Sequence, residues 1–251
     1  MKKIILLLSI VSCSSAGQLK VPADSIQHYN YHDVSGDFKF TREKKTINKK
    51  VVNRSTISSR DGSKLYEKSI MVSQPGSIKG KKGRVNTFRP MASDYEVWLD
   101  GKLHKSSLRL DVKNKAMRAI VEPAGGKRRV ESFKFPRHEQ FCFYNQIAEC
   151  LTYNGILSSV INSQKGREFF VVWDTWPYHK EMLSGVTDQL FMTALARYEG
   201  KDKDGHRIVI ELAGQILLYH FSESFDLVKI AWVAQGITLL PVGQSISAEM
   251  E

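Results

Sequence analysis

The sequence predicts a mainly β fold: a curved antiparallel sheet, laid out as a meander, half-barrel or sandwich, broken by one short helical insert. Three observations predict it. Segments of alternating apolar and polar residues recur through most of the chain, with turn signals about every 8–12 residues. Residues 94–135 read as four antiparallel strands with one apolar and one wet face. The alternation lapses between His138 and Gln164, where apolar residues take helical spacing.

The chain opens with a positive Met1-Lys2-Lys3, and Ile4 to Val11 is apolar apart from Ser9. That run is too short to span a bilayer, which takes about 20 apolar residues. Its length and flanks are those of a signal-peptide core, so residues 1–12 read as an export signal. No other segment is apolar and long enough for a transmembrane helix, so the body is expected to be water-soluble. Ser14-Ser15-Ala16 offers a small-x-small site for ordinary secretory cleavage after Ala16. Residues 13–33 are expected to be a tether of irregular polar chain, with an aromatic pair at Tyr29 and Tyr31.

A single β-rich domain is expected over 34–242. Asp37 to Thr41 alternates apolar and polar. A polar-rich strand pair follows at Thr46–Ser59 and Lys64–Ser73, turning at Arg60-Asp61-Gly62. Pro75-Gly76 is expected to turn the chain again. Ser77 to Arg84 is glycine-rich and basic. It lacks the strand-turn-helix context of a P-loop and reads as a solvated loop. Its Lys79, Lys81, Lys82 and Arg84 are candidates for contact with phosphate or lipid headgroups.

Tyr95 to Leu99 leads into Asp100-Gly101, a strong two-residue hairpin signal. Lys102 to Val112 returns with Leu108, Leu110 and Val112 on one face. Ala116 to Glu122 and Lys127 to Phe135 complete the meander, and Pro136 ends it. In the insert, Phe141, Tyr144, Ile147, Ala148 and Leu151 recur helically, and Ile156 to Ile161 do so again after Asn154-Gly155. Strands are then expected at Arg167–Trp173, Leu190–Glu199, His206–Leu212, Gln215–Ser222, Leu227–Val233 and Ile237–Leu240. The tail, 243–251, is expected to be flexible.

The cysteines are Cys13, Cys142 and Cys150. In an oxidising compartment Cys142 and Cys150 are expected to pair. Eight residues of continuous helix would separate their Cα atoms by about 12 Å, and a disulfide needs less than about 7 Å. The pairing therefore requires a turn or broken helix within Phe141–Leu151. A zinc pair normally sits two to four residues apart, which this spacing does not fit.

Two resemblances add to this reading. Ile10-Val11-Ser12-Cys13 resembles the lipobox of bacterial lipoproteins. The resemblance implies that Cys13 becomes the first mature residue and carries diacylglycerol and an amide-linked acyl chain such as palmitate, a stable membrane anchor. Ser14 after it implies the outer membrane, facing the periplasm or the surface. Cleavage at Ala16 would instead give a periplasmic or secreted protein. The meander with Tyr95–Gly101, the insert at Phe141–Leu151 and the closing strands through Trp232 resemble the LolA/LolB lipoprotein carriers and the DUF3108-type envelope domains. There a curved antiparallel sheet wraps short helices.

Loss of residues 1–12 takes the net charge from +11 to about +9. That charge suits solubility and attraction to anionic lipid headgroups. No helix-turn-helix or zinc-finger spacing appears, so no nucleic-acid partner is expected. His28 and His32 lie four apart beside Asp33, a metal pair only on a helix that is not expected there; no metal or cofactor is implied. No Gly-x-Ser-x-Gly elbow occurs. Most acidic residues alternate outward, so the domain reads as non-enzymatic; an envelope hydrolase with carboxylates converging from distant strands is the remaining catalytic alternative. The most site-like cluster is Trp173, Trp176, Tyr178 and His179, flanking Asp174, where aromatic faces with a polar handle suit an apolar or sugar-like ligand. The expectation is a lipoprotein whose sheet holds an apolar or amphipathic envelope component, lipid or lipoprotein. The alternative is a structural lipoprotein without a ligand that contacts an envelope protein partner.

Overall fold

The computed structural model describes residues 25–80, 83–135, 140–178 and 190–242. They form one curved, unclosed sheet of fifteen strands with two short helices. The first eight strands are β1 (Ser25–Asp33), β2 (Phe38–Ile47), β3 (Lys50–Ser59), β4 (Leu65–Gly80), β5 (Gly83–Leu99), β6 (Lys102–Asp111), β7 (Ala116–Glu122) and β8 (Arg129–Lys134). Then come β9 (Phe141–Phe143), helices α1 (Ile147–Tyr153) and α2 (Ile156–Ser163), and β10 (Arg167–Val172). The closing run is β11 (Phe191–Asp202), β12 (Gly205–Leu212), β13 (Gln215–Phe221), β14 (Leu227–Trp232) and β15 (Ile237–Pro241).

The strand order is β8-β7-β6-β5-β4-β3-β2-β1-β15-β14-β13-β12-β11-β10-β9. Neighbours are antiparallel except β9 and β10, which run parallel. Two up-and-down meanders are therefore joined at one seam, where β1 pairs with β2 on one side and with β15 on the other. Residues 25–33, expected to be irregular tether, form this central strand. Ile26, His28, Asn30 and His32 alternate with Tyr29 and Tyr31, and Tyr31 is fully buried. The alternation was hidden because most of its outward positions and its inward tyrosines are both polar by type.

Turn chemistry explains most of the connections. Asp100 and Gly101 both take positive φ, the mirror-image turn that matches strand twist. Asn48 and Lys49 do the same between β2 and β3, so the strand expected over Thr46–Ser59 is split in two. Pro75-Gly76 does not turn the chain. Both lie within β4, and β4 and β5 continue to pair with each other as far as Gly80 and Gly83. Residues 74–80 and 83–90 pair with neither β3 nor β6, so they make a two-stranded arm projecting past the sheet. A basic solvated loop was expected where this arm ends.

The helical insert is real but starts later than its pattern. Phe141–Phe143 is strand, and Gly155, in the left-handed conformation, separates the two helices. Cys142 on β9 and Cys150 on α1 form the disulfide, with Cα atoms 5.6 Å apart. The helices sit against the concave face. Ile147, Leu151, Ile156 and Leu157 pack there with Phe169, Ile208 and Leu217 of the C-terminal meander. A second cluster joins Met71, Leu108 and Met117 to Phe143, Val172 and Trp173. The two ends of the sheet approach through side chains rather than backbone. Phe135 beside β8 lies 5.1 Å from the Phe141 ring and 4.7 Å from the Phe191 ring. Among the described residues no helix is long and apolar enough to cross a membrane.

Candidate ligand-binding trough

Register places the polar residues of the N-terminal meander in rows on its inner face. Arg42, Ser55, Ser69, Tyr95 and Ser106 stand opposite one another across five strands. The next row is Lys44, Asn53, Met71, Ser93 and Leu108. Their alternation follows that of Phe38 and Phe40, which sets Arg42, Lys44 and Thr46 inward and Glu43 and Lys45 outward. The sequence reading carried the alternation only to Thr41. Extended by five residues, it would have found the charged residues of the trough.

Arg42 is the centre. It is 11 % exposed and forms an ion pair with Glu149 of α1, which is 8 % exposed. It donates to Tyr31 Oη at 3.3 Å, and its guanidinium lies 5.7 Å from the Tyr29 ring centre and 5.9 Å from that of Tyr31. A buried ion pair balances desolvation against Coulomb attraction and hydrogen bonding, and losing one partner strands the other. The pair thus fixes α1 against β2.

Two cavities meet at this pair, sharing Arg42, Ala148, Glu149 and Leu227 in their walls. The inner one is a crevice of about 30 Å³ that reaches Glu67, Tyr144 and Trp232. The outer one is a cavity of about 280 Å³ between β1–β3, the helices and the β13–β14 turn. Tyr29, Tyr153, Phe221 and Phe225 are its aromatic walls, and Lys44 and Asn53 stand on its floor. Together they form a narrow trough, near the lower end of the size range of small-molecule sites.

Glu67 lies at the inner end. Tyr95 Oη donates to its Oε2 at 3.0 Å. Burial pushes its carboxyl up to about 7; the Tyr95 hydrogen bond opposes this, and the Asp174 charge adds to it. Asp174 is deeper still. It accepts from Ser93 Oγ at 2.8 Å and from the Asn145 backbone N–H at 3.1 Å, while its own carbonyl accepts from Ser106 Oγ at 2.7 Å. Burial raises it to about 6 against those hydrogen bonds. These contacts pin the 173–178 loop to β5 and β6.

The aromatic residues singled out from sequence do something different from lining the trough. Trp173 and Trp176 are buried in the second core cluster. Trp173 stacks on Tyr144 at 4.1 Å, and Trp176 meets Phe133 of β8 edge-on at 5.3 Å. Tyr178 contacts the His104 ring at 5.1 Å and donates to the Lys105 carbonyl at 2.7 Å. They pack where the two ends of the sheet approach, and none of them lines either part of the trough. His179 lies outside the described residues, as do the signal segment, Cys13, Lys81, Lys82 and the tail from 243. Lys79 and Arg84 stand opposite each other near the end of the arm. His28 and His32 are on β1, not on a helix, and do not form the pair considered from their spacing.

Compared with known families, curated proteins and solved structures, the chain matches none.

Proposed function

We propose that this chain is an exported envelope lipoprotein, anchored through Cys13, whose β-domain binds one apolar or amphipathic component of the envelope in the trough between β1–β3 and α1. The observation that carries the reading is the outer cavity of about 280 Å³, walled by aromatic rings and floored by polar groups. That combination suits a ligand with an apolar body and a polar end. The lipobox-like Ile10-Val11-Ser12-Cys13 and the preceding apolar run supply the export and anchoring half of the proposal. The curved sheet around short helices is also the architecture expected from the resemblance to lipoprotein carriers, an analogy of shape alone.

A second reading has its own support. The helices and the aromatic contacts between β8 and the opposite end of the sheet occupy much of the concavity. A filled interior would suit a structural lipoprotein that presents its outer surface to an envelope protein.

Intact-mass measurement of the protein purified from its own membrane separates these readings. A denatured mass of residues 13–251 plus acyl chains, less two hydrogens for the disulfide, is expected. A chain starting at Gly17 would refute the anchor. Under native conditions an additional mass that leaves on denaturation is expected; a native mass equal to the denatured one would favour the structural reading.

A further inference from the structure

Most charged groups around the outer cavity already have partners. Glu149 is held by Arg42. Asp226 accepts from Ser224 at 2.8 Å and is exposed on its turn. Glu43 lies 3.7 Å from His28. Two donors on the cavity floor have no such partner. Lys44 Nζ lies 5.0 Å from the centre of the Tyr153 ring, and among the described residues no carboxylate makes an ion pair with it. Asn53 is only 2 % exposed, and its Nδ2 is buried without a hydrogen-bond partner.

These two residues face each other directly across the β2–β3 ladder, and both line the same cavity. Opposed residues in an antiparallel pair have Cβ atoms about 5 Å apart, so the two donors reach one point. An ammonium and an amide N–H₂ offer hydrogens and no lone pair. Leaving them unpaired in a half-buried place costs free energy, and a group that accepts from both would recover it.

We infer that the floor of the outer cavity takes an oxyanion, the carboxylate or phosphate-monoester end of an amphipath, which accepts hydrogen bonds from Lys44 and Asn53 while its apolar part lies against Tyr153, Phe221 and Phe225. This rests on the trough being a binding site, as proposed above. The electrostatics agree. Burial pulls the Lys44 ammonium below its ordinary range despite the pull of Asp226 in the other direction, and a bound anion would reverse that shift.

Delipidated full-length protein, titrated with palmitate, palmitoyl lysophosphatidate and hexadecanol, tests the inference. At least one anion is expected to bind about tenfold or more tighter than the alcohol, the scale of a charge-assisted hydrogen bond. Which anion leads assigns the source, a fatty acid or a phosphate headgroup. Lys44→Met should abolish the preference, leaving the anions and hexadecanol with equal affinity. Asn53→Asp, nearly identical in shape, gives Lys44 an internal partner and should abolish it too; either variant suffices once its circular dichroism matches that of the parent. Equal affinity for alcohol and anions, or a preference that survives in a folded variant, overturns the oxyanion site and leaves the trough standing. Binding of none of the three overturns both.

Discussion

Glu67 shows how a single residue can record the character of an interior. Its carboxyl stands in a row with Phe40, Ile57 and Val97 on the inner face, and it accepts a hydrogen bond from Tyr95. Burial favours the protonated form, so its folded value, about 7, lies above the ordinary carboxylate value near 4.5. The sign follows directly. The native state binds the proton more tightly than the unfolded chain, so this group's contribution is fully present below pH 4.5 and is lost as pH rises through 7. Glu67→Gln keeps the hydrogen bond and removes the charge. Denaturant unfolding should find the variant gaining roughly 2–3 kcal/mol on the parent between pH 4 and pH 8. A difference that does not change with pH would place the carboxylate in water. Arg42 and Glu149 show another solution: two buried side chains of opposite charge pair with each other.

At the scale of elements, strands with distinctive turns were legible in the sequence. Asp100-Gly101 and Ala213-Gly214 combine a turn dipeptide with alternating flanks, and each sits in a two-residue hairpin. The helices were legible because Ile156, Leu157 and Val160 repeat with helical spacing around an apolar stripe. The start of the insert was not, because Phe141 shares helical spacing with Tyr144 and Ala148; pairing of Phe141–Phe143 with β10 decided it. The β4–β5 arm was missed because Pro75-Gly76 signals a turn wherever a strand has two neighbours. Here each strand has only one, so the proline needs no ladder partner on its open side. The disulfide was expected on the reading of residues 1–12 as an export signal, and its geometry excluded a continuous helix between the two cysteines. It joins the edge strand β9 to α1, closing a loop of eight residues. Replacing both cysteines with serine should lower stability by about 2–3 kcal/mol, as loop-closure entropy predicts for so short a loop. An unchanged denaturation midpoint would mean that β9 is held by its hydrophobic contacts alone.

The whole molecule depends on long-range pairings that no local pattern encodes. The sheet is continuous only because β1, near the start of the described chain, enters between β2 and β15. The trough is likewise a product of topology. Its walls come from β1–β3, from the helices between β9 and β10, and from the turn before β14. The sequence pointed instead to Trp173 and Trp176, since a run of aromatics looks the same whether it lines a pocket or seals a core. Their role at the sheet's approach to β8 follows from contacts more than forty residues apart. Arg42 and Lys44 fell between the strands read from the sequence, and Asn53 lay unremarked in a polar-rich strand.

The central claim is that the trough holds a ligand, and blocking it is the most direct test. Thr152 lines the outer cavity from α1 and is half-buried. Thr152→Trp would put an indole into that space while keeping both Arg42 and Glu149 in the chain. The measurement is the native mass of parent and variant purified in parallel from the same membrane. The account predicts extra, denaturation-labile mass on the parent and none on a variant that still unfolds cooperatively. Equal bound mass on both, or none on either, would contradict it.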